Sequence, residues 1–172
     1  HIALNSIRAN HAKFHNKYGE LIICADANNY WRRDEFPYYK AKRKELQQKS
    51  EIDWVKIFNS LNELRNDLIE NFPYKVLRVD KAEADDIIAT IVHNKGVIMN
   101  QPNVEDILVL SGDKDFKQLQ LYANVQQYSP AEKKWVKCSN PEKFKWEHII
   151  KGDRGDGIPN IMMPDDTLVK GV

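Results

Sequence analysis

Residues 107–115, Ile-Leu-Val-Leu-Ser-Gly-Asp-Lys-Asp, decide the fold. Four apolar residues in a row end in a small polar turn that carries two carboxylates. Residues 21–26, Leu-Ile-Ile-Cys-Ala-Asp, repeat that layout. A strand with one wet face alternates apolar and polar side chains, whereas an unbroken apolar run is covered on both faces, as in a parallel sheet between helices. Outward from these two strands the pattern is helical. Apolar residues recur at loose helical spacing over 2–18 (Ile2, Leu4, Ile7, Phe14). They form a stripe over Asp53–Phe72 (Trp54, Ile57, Phe58, Leu61, Leu64, Leu68) and gather again over Glu83–His93. Pro73 stops the second of these helices. A further strand is expected over Lys75–Val79, and two short ones about Ser129-Pro130 within Tyr128–Lys137. Helix alternating with strand predicts a doubly wound α/β architecture: a mainly parallel, twisted sheet flanked by helices, with ligands at the carboxyl ends of its strands.

The 172 residues carry 26 Lys+Arg against 25 Asp+Glu, are 42% hydrophobic and have a mean hydropathy of −0.63. That balance fits one globular domain with part of a second and excludes collagen, coiled coil and low complexity. No apolar run approaches the ~20 residues that cross a bilayer, so no membrane association is expected. Cys24 and Cys138 lie far apart in the sequence, which suggests free thiols and a reducing cytoplasm. The chain begins with His1 and no secretory layout follows, so it reads as truncated at its start.

Strand endings alone place Asp26, Asp113 and Asp115 on one rim of the sheet. Glu83, Asp85 and Asp86 add three acids at the head of a helix. The pair Asp80 and Glu83 has capping-box spacing, and acids in a first turn are favoured by the helix dipole. Capping leaves Asp85 and Asp86 unexplained, because they precede Ile87, Ile88, Ala89, Ile91 and Val92, a helix apolar nearly all round and expected to be buried. An unpaired buried carboxylate costs several kcal/mol or neutralises. Only Arg78, Lys81 and Lys114 lie near these acids in the sequence, so the simplest compensation is a hard divalent cation, Mg2+ with Mn2+ able to substitute. Converging acids suggest two ions ~3.5–4 Å apart, the arrangement that hydrolyses phosphodiesters. The five histidines show no ligand spacing, which argues against zinc, and His148 reads as a structural helix residue. Trp54, Trp135 and Trp146 read as packing residues.

Between the first acid and the next long helix lies a basic, aromatic excursion. Tyr30 to Lys49 holds Arg32, Arg33, Lys40, Lys42, Arg43, Lys44 and Lys49 interleaved with Tyr30, Trp31, Phe36, Tyr38 and Tyr39. Cations bind phosphates and aromatic rings stack on bases, which makes Arg32, Arg33, Lys40, Lys42 and Arg43 candidates for DNA binding. A solvated basic helix face is the plainer alternative.

Four motifs in order, CADANNYWRRDEFPYYKAKR (24–43), KAEADDIIA (81–89), SGDKDFKQL (111–119) and KGDRGDGIP (151–159), resemble the structure-specific 5′ nucleases. That family has a PIN-like fold and includes flap endonucleases and the 5′-nuclease domain of bacterial DNA polymerase I. The resemblance covers roughly residues 1–160. YWRRD, DKDF with QL, and Tyr128–Lys137 are most like the family's T-even bacteriophage members, which remove RNA primers.

The resemblance implies metal-binding roles for Asp26, Glu83, Asp85, Asp113 and Asp115, with Asp86 beside them, and a second site at Asp153 and Asp156 acting through bound waters. It makes Lys40 and Arg43 stabilisers of transition-state charge, working with Asp26 and Asp113. It divides the chain into a catalytic α/β domain over 1–150, a helical arch or clamp at about 28–50, and at 151–172 the start of a helix–three-turn–helix element that grips duplex DNA. In the family, a strand bearing a first metal-binding Asp precedes the helix that opens this sequence, and the DNA-gripping element runs on beyond IPNIMMPDDTLVKGV. The segment after Lys151 is therefore expected to be loosely held. The implied activity is that of a magnesium-dependent 5′ to 3′ exonuclease and flap endonuclease. It would act on DNA flaps, 5′ overhangs and RNA–DNA hybrids during primer removal, as a monomer in the cytoplasm of a bacterial host, with a single-stranded DNA-binding protein and a sliding clamp as partners. Two readings of other classes stand beside it: a catalytically deficient DNA-binding fragment, and a phosphatase with an Asp nucleophile.

Overall fold

The computed structural model describes residues 1–97 and 103–169, Lys44 in its backbone only. Both apolar runs form strands. β1 (Ile22–Cys24) pairs in parallel with β2 (Lys75–Leu77), in the register Ile22 to Lys75 and Cys24 to Leu77. β3 (Ile107–Leu110) pairs in parallel with β4 (Val125–Ser129), and β4 pairs antiparallel with β5 (Lys134–Val136) through a turn in which Lys133 takes a left-handed φ of 53°. Among the described residues the strands form two separate ladders, β1-β2 and β3-β4-β5. The mixed α/β architecture stands, with its parallel pairs divided between two small sheets.

The helices are α1 (Ile2–Tyr18), α2 (Trp31–Glu35), α3 (Ala41–Lys49), α4 (Trp54–Asn71), α5 (Ala84–Lys95) and α6 (Pro141–Lys151), with a 3-10 helix at Lys114–Leu121 after β3. Asp53 caps α4 by accepting a hydrogen bond from the Lys56 N–H, and Asn140 caps α6 through Lys143, with Pro141 at the first helical position. α1 packs through Phe14 edge-to-face on Tyr128 and Trp135, and Lys13 Nζ donates to the Tyr128 hydroxyl at 2.7 Å. The core lies between α5 and the second sheet, where Val92 packs with Val109, Phe116, Leu119 and Val125. α5 thus has its apolar side on one sheet and its acidic head against the other.

Several expectations need correcting. The strand expected over Lys75–Val79 stops at Leu77, ahead of the turn at Asp80 and Lys81. α5 is not buried all round: Ile87 and Val92 are buried, while Ile88, Ala89 and Ile91 are partly covered. The capping box at its head is formed by Glu83 and Asp86, not by Asp80 and Glu83. Trp146 is 56% exposed, and Trp135 also reaches solvent, because one ring face suffices to cover Phe14. The excursion at 28–50 is two short helices hinged at Lys40, whose φ is 55°.

The segment after Lys151 is firmly held at 152–158. Asp153 and Ile158 exchange two backbone hydrogen bonds of 2.8 Å, and Lys40 N donates to the Asp156 carbonyl at 2.8 Å. A Cβ on Gly157 (φ 78°) would lie 2.9 Å from the Tyr38 carbonyl, so a glycine is needed where this loop meets the excursion. Among the described residues no helix is long and apolar enough to cross a membrane.

Candidate metal centre

Asp26, Asp85, Asp86, Asp113 and Asp115 reach the centre from a strand end or a helix head, and Asp153 and Asp156 from the loop after α6. Asp26 follows β1 and accepts the Ala84 N–H through Oδ1 at 2.7 Å, which joins the end of that strand to the first turn of α5. Asp113 follows β3 and accepts the Asp115 N–H through Oδ1 at 3.0 Å, capping the 3-10 helix that carries Asp115. The turn is clipped from behind by Gln127 of β4. This residue is 1% exposed, and its Nε2 donates to the carbonyls of Ser111 (2.9 Å) and Asp113 (2.7 Å).

Asp85, at the head of α5, sits where these segments meet. Partial burial, then the like charges of Asp113, Asp26 and Glu83, push its carboxyl up to about 6, with Lys40 offering partial relief. Three acids predicted from separate motifs therefore act electrostatically on a fourth. Asp115 is also raised, by burial and by Asp113. Its Oδ1 is fully buried and accepts no hydrogen bond. His148 Nε2 lies 3.1 Å away without hydrogen-bond alignment. A buried carboxylate oxygen with no donor beside mutually repelling acids is what a divalent cation would relieve. The residues present fit the ion that their chemistry implies.

The excursion folds onto the same acids. Glu83 is 3% exposed and fully engaged: Oε1 takes Lys40 Nζ at 2.6 Å, while Oε2 takes the Tyr39 hydroxyl at 2.7 Å and Arg32 at 3.0 Å. Burial and the bond to Glu83 push the Tyr39 phenol well above its usual range, so it stays a proton donor. Asp86 is forked by Arg32 at 2.7 and 2.8 Å and accepts the Trp31 indole N–H at 3.1 Å. Burial opposes its charge, yet Arg32 holds its carboxyl below the usual range.

Asp156 takes Arg43 at 2.5 Å, and Lys40 Nζ lies 4.0 Å from its other oxygen. Asp153 pairs with Lys114 at 2.6 Å and accepts the backbone N–H groups of Gly155 and Asp156. These donors outweigh its burial and hold its carboxyl below the usual range. Arg33 lies over the Tyr30 ring, and Lys42 is exposed.

Asp85, Asp86, Asp115, Asp153 and Asp156 line one cleft of about 630 Å³ together with Arg32 and Tyr39. Of the basic candidates, Arg32, Lys40 and Arg43 lie against the acids, and Arg33 and Lys42 do not. His148, read from the sequence as a structural helix residue, lies among the acids at the C-terminal turn of α6. Tyr39 and Gln127 were also missed. Tyr39 was lost among neighbouring aromatic residues, and the role of Gln127 depends on a strand register that the sequence does not display.

A sequence model of the 5′-3′ exonuclease N-terminal, resolvase-like domain matches residues 2–148. The chain is 37% identical over 179 residues to the Ribonuclease H of Enterobacteria phage T4, covering 99% of this chain and 57% of that protein. Among solved structures, it is similar to the T5 D15 protein co-crystallised with metal ions (TM-score 0.73, 19% identity, covering 96% of this chain and 64% of that one). It is also similar to the T5 5′-exonuclease with bound divalent zinc (TM-score 0.73, 19% identity, covering 98% and 65%). The chain thus spans less than two thirds of the length of each of these proteins. With the fold shared, the family model matched over most of its length and the T4 protein aligned end to end along it, the chain belongs to the 5′-3′ exonuclease family through that N-terminal resolvase-like domain.

Proposed function

We propose that this chain carries the catalytic centre of a divalent-metal-dependent 5′ nuclease. Its substrates would be 5′ flaps and overhangs of DNA and RNA–DNA hybrids, cut during RNA primer removal in DNA replication. The observation that carries the reading is the convergence of acids from three segments on one cleft, at 85–86, 115 and 153–156, with Asp26 and Asp113 acting on Asp85 and with Lys40, Arg32 and Arg43 paired to acids of the centre. The T4 relative is a ribonuclease H, and the T5 relatives bind metal ions. In this reading residues 1–150 form the catalytic domain, 28–50 the clamp, and 151–172 the start of a duplex-gripping element. The protein would work as a monomer in the host cytoplasm and could meet a single-stranded DNA-binding protein and a sliding clamp.

Asp26, Asp85 and Asp113 would hold one Mg2+, and Asp113, Asp115 and Asp153 a second. Glu83, Asp86 and Asp156 already hold cationic side chains and would act by fixing the clamp or through waters. Such ions act as Lewis acids and lower the pKa of a bound water. Asp26 and Asp113 each commit one oxygen to a backbone N–H, which fixes the carboxylates before substrate arrives. Lys40 and Arg43 exchange their carboxylates for the scissile phosphate, where a fixed cation stabilises developing charge. Tyr39 keeps its proton and holds Glu83 in place.

Cleavage of a 5′-labelled flap duplex in Mg2+, abolished by a chelator and by Asp113→Asn, is the expected result. Chelator-resistant turnover, or turnover of phosphate monoesters with an aspartyl-phosphate intermediate, refutes the reading.

A further inference from the structure

Among the described histidines, His148 is the one at ion-pair distance from acids of the cleft; His93 lines the same cleft, with its Nδ1 bonded to the Tyr122 hydroxyl. The Nε2 of His148 lies 3.1 Å from Asp115 Oδ1 and 3.6 Å from Asp153 Oδ2. One donor atom from each of the three residues falls within 4.8 Å of the others. Metal–donor bonds of ~2.0–2.2 Å space neighbouring donors roughly 3.0–3.6 Å apart in octahedral or tetrahedral geometry, and the two histidine distances fit that spacing.

The ring is held in place. It stacks on Phe144, one turn earlier in α6, with centroids 5.7 Å apart and planes at 12°, and Lys117 Nζ lies over the Phe144 ring. Asp153 is fixed by the Gly155 and Asp156 N–H groups on its Oδ1, which leaves Oδ2 to face His148 and Lys114. The Asp115 oxygen nearest the imidazole is the buried one that accepts no hydrogen bond. Lys114 is half exposed and can swing away from Asp153.

We propose that His148 Nε2 is a direct ligand of a divalent ion held with Asp115 and Asp153. This makes that half of the centre a mixed nitrogen and oxygen site that favours Mn2+ over Mg2+. The inference rests on the proposed nuclease reading for the presence of an ion there, and adds to it a nitrogen donor and a metal preference. Imidazole suits the later divalent metals, while Mg2+ selects oxygen. The ring must be neutral, with its proton on Nδ1. The competing account is a plain ion pair between protonated His148 and the two acids. It predicts that any cation at position 148 serves equally well.

The test is pulsed EPR of Mn2+ added to the full chain, together with calorimetric titration of Mn2+ and of Mg2+. A His15→Gln background removes the exposed His11 and His15 pair of α1, whose ring nitrogens lie 3.2 Å apart. The expected result is a directly coordinated nitrogen that is lost in His148→Gln and in His148→Lys. Mn2+ binding should weaken on the order of tenfold or more in both, with Mg2+ affinity changing far less. Three results overturn the proposal: no nitrogen coupling in the His15→Gln protein, equal losses for both metals, or full Mn2+ affinity in His148→Lys. The first of these stands even if the position-148 variants fail to fold. Binding of Mn2+ without nitrogen coupling removes His148 alone, whereas failure of the protein to bind either metal removes the nuclease reading with it.

Discussion

Lys40 Nζ lies 2.6 Å from Glu83 Oε1 and 4.0 Å from Asp156 Oδ2, so one cation touches acids from two distant segments. The left-handed backbone at Lys40 marks the hinge between α2 and α3. In the proposed nuclease reading, the excursion at 28–50 is held by the acids that it would release when a phosphate enters.

Lys40→Ala removes one of the partners of a buried carboxylate. Arg32 and Tyr39 remain on the other oxygen of Glu83, so the loss of stability should be about 1–3 kcal/mol, below that of a fully orphaned charge. Urea denaturation measures it, and an unchanged midpoint would show that Arg32 and Tyr39 suffice.

Single-turnover cleavage at saturating enzyme should fall on the order of 10²-fold for Lys40→Ala, with a smaller loss of DNA affinity, because a cation at the reacting phosphate acts on developing charge. Arg43→Ala should follow the same pattern. A loss fully restored by more enzyme would reduce both residues to phosphate tethers.

Asp85 gives the pH dependence a definite sign. Its folded carboxyl is raised from 3.8 to about 6, so between about pH 4 and pH 6 the folded state holds a proton that the unfolded chain has released. Its contribution is unfavourable above that value and is relieved as pH falls from about 6 toward 4. Metal-free protein should therefore melt higher at about pH 5 than at pH 7, and the melting shift produced by Mg2+ should shrink over the same interval. Asp86 and Asp153, both lowered, lose their contributions only below the ordinary carboxylate range. A Mg2+ shift that does not vary with pH would show that Asp85 is not a ligand.

Asp85→Asn should raise the melting temperature of metal-free protein by removing a repelled charge, and should abolish both the Mg2+ shift and cleavage. Gain of stability with loss of activity is the expected signature of a functional acid cluster. Loss of stability would mean that an unrecognised partner satisfies this carboxylate.

Gln127→Leu leaves the Ser111 and Asp113 carbonyls without their buried donor. A cost of about 1–3 kcal/mol is expected, with weaker metal binding because the Asp113 turn loses its clip. Thermal melts with and without Mg2+ separate the two effects, and an unchanged Mg2+ shift would confine Gln127 to stability.

The rim acids were legible because each follows an apolar run or opens a helix, and strand endings are local events. Asp26, Asp113 and Asp115 needed nothing further. The alternation of apolar runs with helical stripes likewise disclosed the parallel pairs. The partners of the acids were illegible. Arg32 meets Asp86 and Arg43 meets Asp156 only because the excursion folds back, and nothing in the basic composition separates a cation awaiting DNA from one already paired. His148 escaped because its distance to Asp153 depends on where α6 ends, at Lys151, and on the reversal at Gly152, where φ is 69° and a Cβ would collide with the Pro159 carbonyl.

The division of the strands into two ladders also bears on folding. Asp26 belongs to the β1-β2 half, while Asp113, Asp115, Asp153 and His148 belong to the β3-β4-β5 half, and α5 spans the seam with Asp85 at its head. Like charges meet at that seam, where Asp26 from one half and Asp113 from the other both raise Asp85. A cation shared across it is a rivet: it would make the halves unfold as one unit, sharpening the transition and slowing amide exchange in the β1-β2 ladder, which lies farthest from the hydrophobic core.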